Sequence, residues 1–450
     1  MAIGFDFGTA NCSVARIVDE QVRVIPLSEN DVYLPSTLSA PNAETVSEYL
    51  FKCLNIKPAN TIGESVLRRA IKINHEEGLN VRHDDVHFGQ SALDLYLDDP
   101  KYVYYVQSPK SFLGTQGLRD VQLSYFEDLI CAMMANVKQQ VEKQLDNAVS
   151  DVVIGRPVNF HGRGGEKSNI QAEGILRSAA RRVGFKNIEF QFEPVAAGFE
   201  YESTLTADKT VLVVDIGGGT SDCSLINMGP SWQGKANRTD SLLSHSGLSV
   251  GGNDLDIAIA FKKFMSEFGL GTEQLSGLPV PISQFWNCVA INDVIAQRDF
   301  YTLENLKQLL DLTKNAKQPE KIRRLSYLHK GTLGHSVVRE AELAKIALGK
   351  QEQYVSSLNL LEDTVELNLL KEQMADAISE PVRKITRMIK EAEQQGQTKP
   401  DVVYMTGGSA RSPILRAAIK SVLPNTEIVS GSYFGSVTAG LSRWADVCFK

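Results

Sequence analysis

Short apolar runs alternate with amphipathic stretches along most of the chain. Residues 126–145 place large apolar side chains three or four positions apart, a spacing that predicts a helix with one face in a core. The run Asp-Val-Val-Ile at 151–154 is stopped by Gly155 and Pro157 and predicts a short buried strand. Strands are also predicted at 188–192 and 401–406, and helices at 174–183, 255–268, 342–348 and 414–422. This alternation predicts an α/β fold.

A glycine turn occurs twice, once near the start of each half of the chain. Residues 5–14 read FDFGTANCSV, and residues 214–225 read VDIGGGTSDCSL, with two additional glycines. Each copy follows a β-rich apolar run and leads into another, which is typical of a β-hairpin. Because turns share composition, a chance match is the alternative, but the placement of the copies favours duplication. The sequence therefore predicts two related lobes, residues 1–205 and 206–450, on either side of a cleft.

Length, composition and charge narrow the class of protein. At 450 residues, with 43% hydrophobic and 22% charged residues, the chain is long enough for two folded lobes and has the composition of an ordinary globular protein. A net charge of −7 provides no basic surface field, so nucleic acid is not an expected partner. The polar, less periodic segments 44–85 and 271–330 are interpreted as insertions, one in each lobe.

Cysteine spacing and the N-terminal sequence bear on the compartment. The six cysteines show no CxxC spacing, which predicts neither a zinc site nor a disulfide framework and favours a reducing compartment. The first residues, MAIGFDFG, have no basic start or long apolar run and therefore predict neither a signal peptide nor an anchor. No other apolar run reaches membrane-spanning length. We expect a cytoplasmic protein without a membrane partner.

The two turns have the chemistry of a phosphate site. Glycine lets backbone N–H groups approach phosphate oxygens, and neighbouring hydroxyl side chains add donors. Asp6 and Asp215 each end an apolar strand just before a turn, a position from which they could hold Mg²⁺ directly or through water. The alternative is that each carboxylate only accepts hydrogen bonds from its own turn.

Two further glycine-rich segments lie at the start of predicted helices. Residues 405–411, MTGGSAR, follow a predicted strand and precede a predicted helix, which allows a flat or anionic ligand group to approach. Arg411 could stack on a base there. Residues 250–254, VGGND, open a predicted helix and by themselves indicate only a helix start.

Taken in order along the chain, these motifs resemble those of the ATPase domain of the heat shock protein 70 family, within the superfamily that also contains actin and sugar kinases. The first hairpin is similar over residues 4–11 and the second over residues 215–222. Residues 110–114, KSFLG, resemble the Lys-x-x-Leu-Gly pattern of the family, and residues 193–197, EPVAA, its interlobe Glu-Pro-x-Ala-Ala motif. The resemblance covers almost the whole chain and implies an actin-like ATPase fold with two ribonuclease H-like lobes.

The resemblance also implies a role for each matching residue. It places Lys110 near the γ-phosphate, Glu193 beside the attacking water, Thr220 on the γ-phosphate side, and Asp6 and Asp215 in catalysis and Mg²⁺ binding. It assigns ATP and ADP contacts to Gly8, Thr9, Ala10, Gly217, Gly218, Gly219, Gly251, Gly252, Glu342, Lys345, Gly407, Gly408, Ser409 and Arg411. We therefore expect a monomer whose slow ATP hydrolysis drives lobe closure. A chaperone-related role in the stress response, through an unfolded protein or a co-chaperone, is the implied function.

The chain departs from the family pattern at several positions. Ala10 replaces a hydroxyl residue, Ile346 a basic residue, Gly349 a serine and Phe434 an acidic residue, so the resemblance implies ATP binding more firmly than rapid turnover. Only six residues follow Trp444, so the peptide-binding domain of the family is expected to be absent. Two alternatives stay open. One is a kinase for a sugar or acid, which would need a general-base carboxylate. The other is a nucleotide-controlled filament or binding module.

Overall fold

Helices and strands alternate through the chain, and together they account for most of its length. The computed structural model describes residues 1–28, 31–161, 164–235, 238–431 and 435–449. The strands are β1 Ala2–Phe7, β2 Asn11–Val18, β3 Gln21–Ile25, β4 Leu34–Pro35, β5 Thr37–Ala40, β6 His87–Phe88, β7 Tyr104–Gln107, β8 Asp151–Arg156, β9 Asn187–Phe192, β10 Lys209–Ile216, β11 Ser221–Met228, β12 Leu242–Leu248, β13 Gln353–Asn359, β14 Thr364–Leu370, β15 Val402–Thr406 and β16 Glu427–Ser430. The α-helices are α1 Ala43–Lys52, α2 Thr61–Glu76, α3 Gln90–Asp98, α4 Asp120–Leu145, α5 Glu166–Arg182, α6 Glu193–Glu202, α7 Gly252–Ile259, α8 Ser283–Val289, α9 Val294–Phe300, α10 Leu303–Asn315, α11 Pro319–Gly331, α12 Gly334–Leu348, α13 Lys371–Ala377, α14 Ser379–Gly396, α15 Pro413–Val422 and α16 Ser436–Cys448.

Two large sheets repeat the same topology. The first has the strand order β3-β2-β1-β8-β9, with β4 beside β2, and the second has the order β12-β11-β10-β15-β16. In both sheets the first three strands pair antiparallel and the last two join in parallel. The central parallel strands β8, β10 and β15 are mostly buried, as expected when helices cover both faces of a sheet. The duplicated α/β arrangement confirms the predicted actin-like fold class.

Three hydrophobic cores hold the two sheets and join them. One lies in the first half and includes Phe5, Met133 and Ile154, and another lies in the second half around β10, β11 and α14. The third lies between the sheets, where Val153 of β8 and Val213 of β10 share one cluster with residues of α6 and α16. Burial of these apolar side chains therefore stabilises the contact between the halves as well as each half.

Helices α6 and α16 cross between the two halves. Helix α6, from the first half of the chain, contacts β10 and β11, and α16, from the second half, packs against β1, β2 and β8. The two helices also pack on each other, with the rings of Phe199 and Trp444 stacked at 5.3 Å. A Cβ atom placed on Gly440 would lie 1.6 Å from the carbonyl oxygen of Ala196, so this close crossing requires glycine.

The two halves of the chain also meet through residues of α3 and of the segment that joins α11 and α12. The hydroxyl of Tyr96, in α3, donates a hydrogen bond to the carbonyl oxygen of Thr332 at 2.6 Å. The ring of Tyr96 stacks on Tyr105 at 4.6 Å, and His335 meets both rings edge-on. Burial lowers the pKa of His335 to about 4, so this contact is held by aromatic packing around a neutral imidazole.

Several element boundaries differ from those predicted from the sequence. The helix predicted at 255–268 is α-helical only to Ile259 and continues as one π-helical turn, Ala260–Phe264, and one 3-10 turn, Met265–Phe268. The helix predicted at 174–183 begins eight residues earlier, at Glu166, and the helix predicted at 342–348 begins at Gly334. Early turns extend beyond the apolar stripe, which is why its periodicity underestimates helix length.

The two segments interpreted as insertions are largely helical. Residues 44–85 contain most of α1 and all of α2, and residues 271–330 contain α8 to α10 and most of α11. In α2 the buried positions are Gly63, Leu67, Ala70 and Asn74. Small and polar residues occupy most of that buried face, so hydrophobicity alone conceals its helical period. Across the described residues, none of the helices has both the length and the apolar character to cross a membrane.

Candidate functional site

The two glycine turns meet at one cavity between the two sheets. The cavity has a volume of about 410 Å³, which is within the usual size range for small-molecule sites. The turns touch each other: a Cβ atom placed on Gly218 would lie 2.9 Å from Cβ of Ala10, and one on Gly219 would lie 2.8 Å from Cγ2 of Thr9. Two hairpins that are about 200 residues apart in sequence thus form one continuous wall of the cavity.

Most residues predicted for the site line this cavity. They are Asp6, Gly8, Thr9, Ala10, Glu193, Asp215, Gly217, Gly218, Thr220, Gly252, Glu342, Lys345, Gly407, Gly408, Ser409 and Arg411. Lys110 and Gly219 line a second, small cavity of about 10 Å³, which shares Thr9 and Thr220 with the large one. Gly251 lies behind the second turn, where an added Cβ atom would be 2.6 Å from the carbonyl oxygen of Gly218.

Backbone hydrogen bonds fix the second turn against the start of α7. The N–H groups of Gly252 and Asn253 donate to the carbonyl oxygens of Gly217 and Gly218 at 2.8 and 2.7 Å. Gly407 supports the same turn from β15: its φ is +84°, and an added Cβ atom would lie 2.3 Å from the carbonyl oxygen of Ile216. Only glycine combines this backbone conformation with so close an approach. These contacts hold the second turn in place between α7 and β15.

A buried ion pair lies beside the turns. Lys110 follows β7 in the 3-10 turn Pro109–Phe112, and Glu193 is the first residue of α6. Nζ of Lys110 donates to Oε1 of Glu193 at 2.6 Å and to the carbonyl oxygen of Gly155 at 3.3 Å. Only 4% of the Lys110 side chain is exposed, so a low-dielectric environment strengthens this pair. An ammonium group has three N–H donors, which leaves one for a ligand.

Three aspartates share this buried region with Glu193. Burial, with a further contribution from Glu193 and against the effect of Lys110, raises the pKa of Asp6 to about 7. Burial and the neighbouring carboxylates raise the pKa of Asp215 well above its usual value. The pKa of Asp222 rises to about 7, mainly through burial and Glu193. Four carboxylates thus face one lysine, an excess of negative charge that favours binding of a cation.

The donor set fits Mg²⁺ more closely than a metal held by protein ligands alone. Within the parts of the chain that the structure describes, no group of three or more His, Cys, Asp or Glu side chains is placed to hold a metal ion. Mg²⁺ usually takes one or two carboxylates and completes its shell with water and phosphate oxygens. Asp6 and Asp215 line the cavity beside both turns and provide the two carboxylates.

Another part of the cavity lining combines a second ion pair with apolar side chains. Nζ of Lys345 lies 2.8 and 2.9 Å from the two carboxylate oxygens of Asp256. Burial, opposed by Lys345, raises the pKa of Asp256 to about 7. Ile346 and Gly349, two of the departures from the family pattern, line the cavity here with Arg411. Phe434, another departure, lies outside the described residues.

Two carboxylates of the site were missed by the sequence analysis. Asp222 belongs to the second glycine motif. The alternation of residues along β11 does not reveal that the Asp222 carboxylate accepts a hydrogen bond from N–H of Val158, in the other half of the chain, at 2.7 Å. Asp256 lies between Leu255 and Ile257 on a buried helix face. A carboxylate among apolar residues is the available signal, but its partner Lys345 is distant in sequence.

Comparison of the sequence with known proteins finds similarity to the Hsp70 family. A family model described as Hsp70 protein matches residues 106–273, the part that contains Lys110, Glu193 and the second glycine turn. A protein of Rickettsia bellii named "Chaperone protein HscA homolog" is 28% identical over 277 residues, or 60% of this chain. A Rickettsia felis protein of the same name is 24% identical over 420 residues, or 93% of this chain. The chain is thus similar to the Hsp70 family model over residues 106–273 and to Hsp70-family chaperones over most of its length.

The Hsp70 match covers only part of the related proteins. The aligned region is 38% of the Rickettsia bellii protein and 48% of the Rickettsia felis protein, so the chain spans less than half the length of these curated relatives. The similarity to the Hsp70 family agrees with the duplicated sheets, whose topology is that of an actin-like ATPase fold. The resemblance of the glycine and lysine motifs to this family is therefore confirmed.

Proposed function

We propose that the chain binds Mg²⁺-ATP in the large cavity, hydrolyses it slowly and closes its lobes around it. The observation that supports this most directly is that both glycine turns line one cavity next to the buried pair of Lys110 and Glu193. Phosphoryl transfer depends on positioning and on neutralising charge, and these residues can supply both.

The turns would hold the phosphates. Backbone N–H groups of residues 8–10, 218 and 219 and the hydroxyls of Thr9 and Thr220 are the proposed donors. The N–H of Gly217 bonds to the carbonyl oxygen of Thr220 at 2.9 Å, so Gly217 would contact the phosphates without donating its N–H. Lys110 would contact the γ-phosphate through its remaining N–H, and Glu193 would orient the attacking water. Asp6 and Asp215 would hold Mg²⁺, which when bound neutralises phosphate charge. The proposed adenosine contacts are Gly252, Glu342, Lys345, Gly407, Gly408, Ser409 and Arg411, with Gly219 and Gly251 shaping the turn.

Closure of the lobes is the proposed structural response to nucleotide binding. A ligand can shift a two-state closure only if it contacts the two states differently, and a nucleotide gripped by turns from both sheets meets that condition. The relatives are named chaperones, so we propose a chaperone-related role exerted through an unfolded protein or a co-chaperone, by a cytoplasmic monomer. Small-angle scattering should show a more compact particle with ATP than without it. Identical profiles would argue against closure.

The test of hydrolysis uses Lys110→Ala, with ATP titrated calorimetrically and phosphate release measured on the same samples. We expect ATP binding to persist and phosphate release to fall by about 100-fold or more, since removing a charge-stabilising donor typically costs that much. The Asp215→Asn variant should also bind ATP. Lys72→Ala, which changes an exposed lysine on α2, is the control and should match wild type.

Unchanged phosphate release in Lys110→Ala would remove this lysine from the mechanism. Because the substitution leaves Glu193 buried without its cation, the thermal melting of the variant must be recorded with its activity. Glu193→Gln is the companion variant: it removes the charge from the other side of the pair and should also slow hydrolysis while ATP still binds.

A further inference from the structure

The small cavity of about 10 Å³ lies behind the two turns, next to the large one. Lys110, Ser111 and His161 form its wall on the side of the first half, and Gly219 and Thr220 form its wall on the side of the second. Since Thr220 and Thr9 line both cavities, the small one lies beside the place where the turns would hold the last phosphate.

Ser111 presents an unpaired hydroxyl to this cavity. The residue is 4% exposed, and among the described residues its Oγ atom has no hydrogen-bond partner. Buried polar atoms are almost always paired, and an orphan hydroxyl that lines a cavity therefore indicates a ligand. Its backbone N–H is separately bonded to the carbonyl oxygen of Ser108 at 2.9 Å, so the turn holds the side chain in place.

The glycine at position 219 keeps this hydroxyl accessible. A Cβ atom placed on Gly219 would lie 3.3 Å from Oγ of Ser111 and 3.3 Å from Oγ1 of Thr9, between the two hydroxyls. Without it, both face the same small space. The third glycine of the second turn thus leaves space open beside both hydroxyls.

The volume and polar lining of the small cavity indicate which ligand fits it. A volume of about 10 Å³ is close to the minimum for one water molecule and too small for a phosphate ion. A buried water needs two to four polar partners, and the hydroxyls of Thr9, Ser111 and Thr220, which all line this cavity, supply three. One water, held by two lobes at the edge of the phosphate site, satisfies both requirements.

We propose that Ser111 is a catalytic residue that holds the attacking water of ATP hydrolysis in this small cavity. The inference rests on the proposed function. The Ser111 hydroxyl accepts a hydrogen bond from the water. A lone pair of the water oxygen then faces the γ-phosphorus. As the new P–O bond forms, the bond from the γ-phosphorus to the bridging oxygen breaks and its electron pair leaves on ADP. Both water protons remain on the phosphate as dihydrogen phosphate, which then loses one to solvent.

The test compares Ser111→Ala with wild type in single-turnover ATP hydrolysis and in equilibrium ATP binding. We expect the hydrolysis rate at saturating ATP to fall about 10-fold while the Kd for ATP changes less than twofold. Melting temperature should stay level or rise, because the substitution removes a buried hydroxyl that the fold leaves unpaired. Ser39→Ala is the matched control: its Oγ is also buried without a partner among the described residues, but it lies in β5, and hydrolysis should match wild type.

The outcomes separate this inference from the function on which it rests. If wild type neither binds nor hydrolyses ATP, the proposed function fails and this inference fails with it. If wild type hydrolyses ATP and Ser111→Ala does so at the same rate, the inference alone is overturned. Weaker ATP binding with an unchanged rate at saturation would overturn it too, because the hydroxyl would then contact bound ATP and not the water.

Discussion

The hairpins β1–β2 and β10–β11 have the same topology but differ in their turns. The first turn contains one glycine, Gly8, followed by Thr9 and Ala10, and the second contains Gly217, Gly218 and Gly219. Both hairpins are antiparallel, both central strands pair with a parallel neighbour, and each aspartate is the penultimate residue of a central strand. Duplication thus preserved the hairpin and changed the size of its turn.

Contact between the turns explains this asymmetry. Thr9 and Ala10 of the first turn occupy the space that side chains at Gly219 and Gly218 would need. The first turn supplies side chains, and the second supplies room and backbone N–H groups. The additional glycines are therefore required by the neighbouring hairpin as much as by a phosphate, and each turn can be tested by substitutions that reverse its role.

The largest expected effect comes from filling the second turn with Gly218→Val. The new side chain would meet Ala10, whose Cβ and backbone N lie 2.9 and 3.2 Å from the added Cβ atom, and would force the turns apart. We expect calorimetry to show ATP affinity at least about 100-fold weaker, or roughly 2.7 kcal/mol. Gly217→Ala is the control, since its nearest neighbour, the carbonyl oxygen of Thr220, is 3.5 Å away. Equal affinities in both variants would refute the packing explanation.

A smaller effect concerns the aspartate beside the first turn. Because the pKa of Asp6 is raised to about 7 in the fold, its ionisation opposes folding as pH rises from about 4 to about 7. Its contribution to stability is therefore complete at low pH and lost by neutral pH. Asp6→Asn should remove that loss and stabilise the ligand-free protein at pH 7.5 by on the order of 2 kcal/mol, less than the full shift since Asp6 keeps contact with the cavity.

Melting curves with and without the substitution, recorded between pH 5 and pH 8, measure this difference. The gap between Asp6→Asn and wild type should widen as pH rises. Asp84→Asn, at an exposed aspartate of the first half, controls for a general effect of lost negative charge. A gap that is constant with pH would contradict the assigned cause.

The smallest expected effect restores a hydroxyl to the first turn. Ala10 is exposed and lines the large cavity, so the Thr hydroxyl of Ala10→Thr would face a bound phosphate. One added hydrogen bond is worth about 1 kcal/mol, and ATP should bind about fivefold more tightly. Ala10→Val has nearly the same shape without the hydroxyl and should bind no better than wild type. If both variants gain equally, packing between the turns accounts for the change.

Sequence patterns predicted the features that depend on residues close together along the chain. The repeated turn predicted two hairpins and a duplicated α/β fold, because glycine, strand residues and a terminal Asp act within a dozen positions. Contacts between distant segments were beyond such patterns: Asp222 reaches Val158 in the other half, and Asp256 meets Lys345. Ser111 was read only as part of the lysine motif, since an orphan hydroxyl is defined by surroundings that spacing does not reveal.

Because α6 and α16 cross between the halves, the halves cannot be separated without exposing apolar surface. The connection between α6 and β10, residues 203–208, is the natural place to cut the chain into its two repeats. A fragment ending there would lack α16 against β1, and its complement would lack α6 against β10 and β11. Each fragment would expose an apolar wall that only the other covers. The repeats are therefore obligate complements, which should recover a folded protein only when they are produced together.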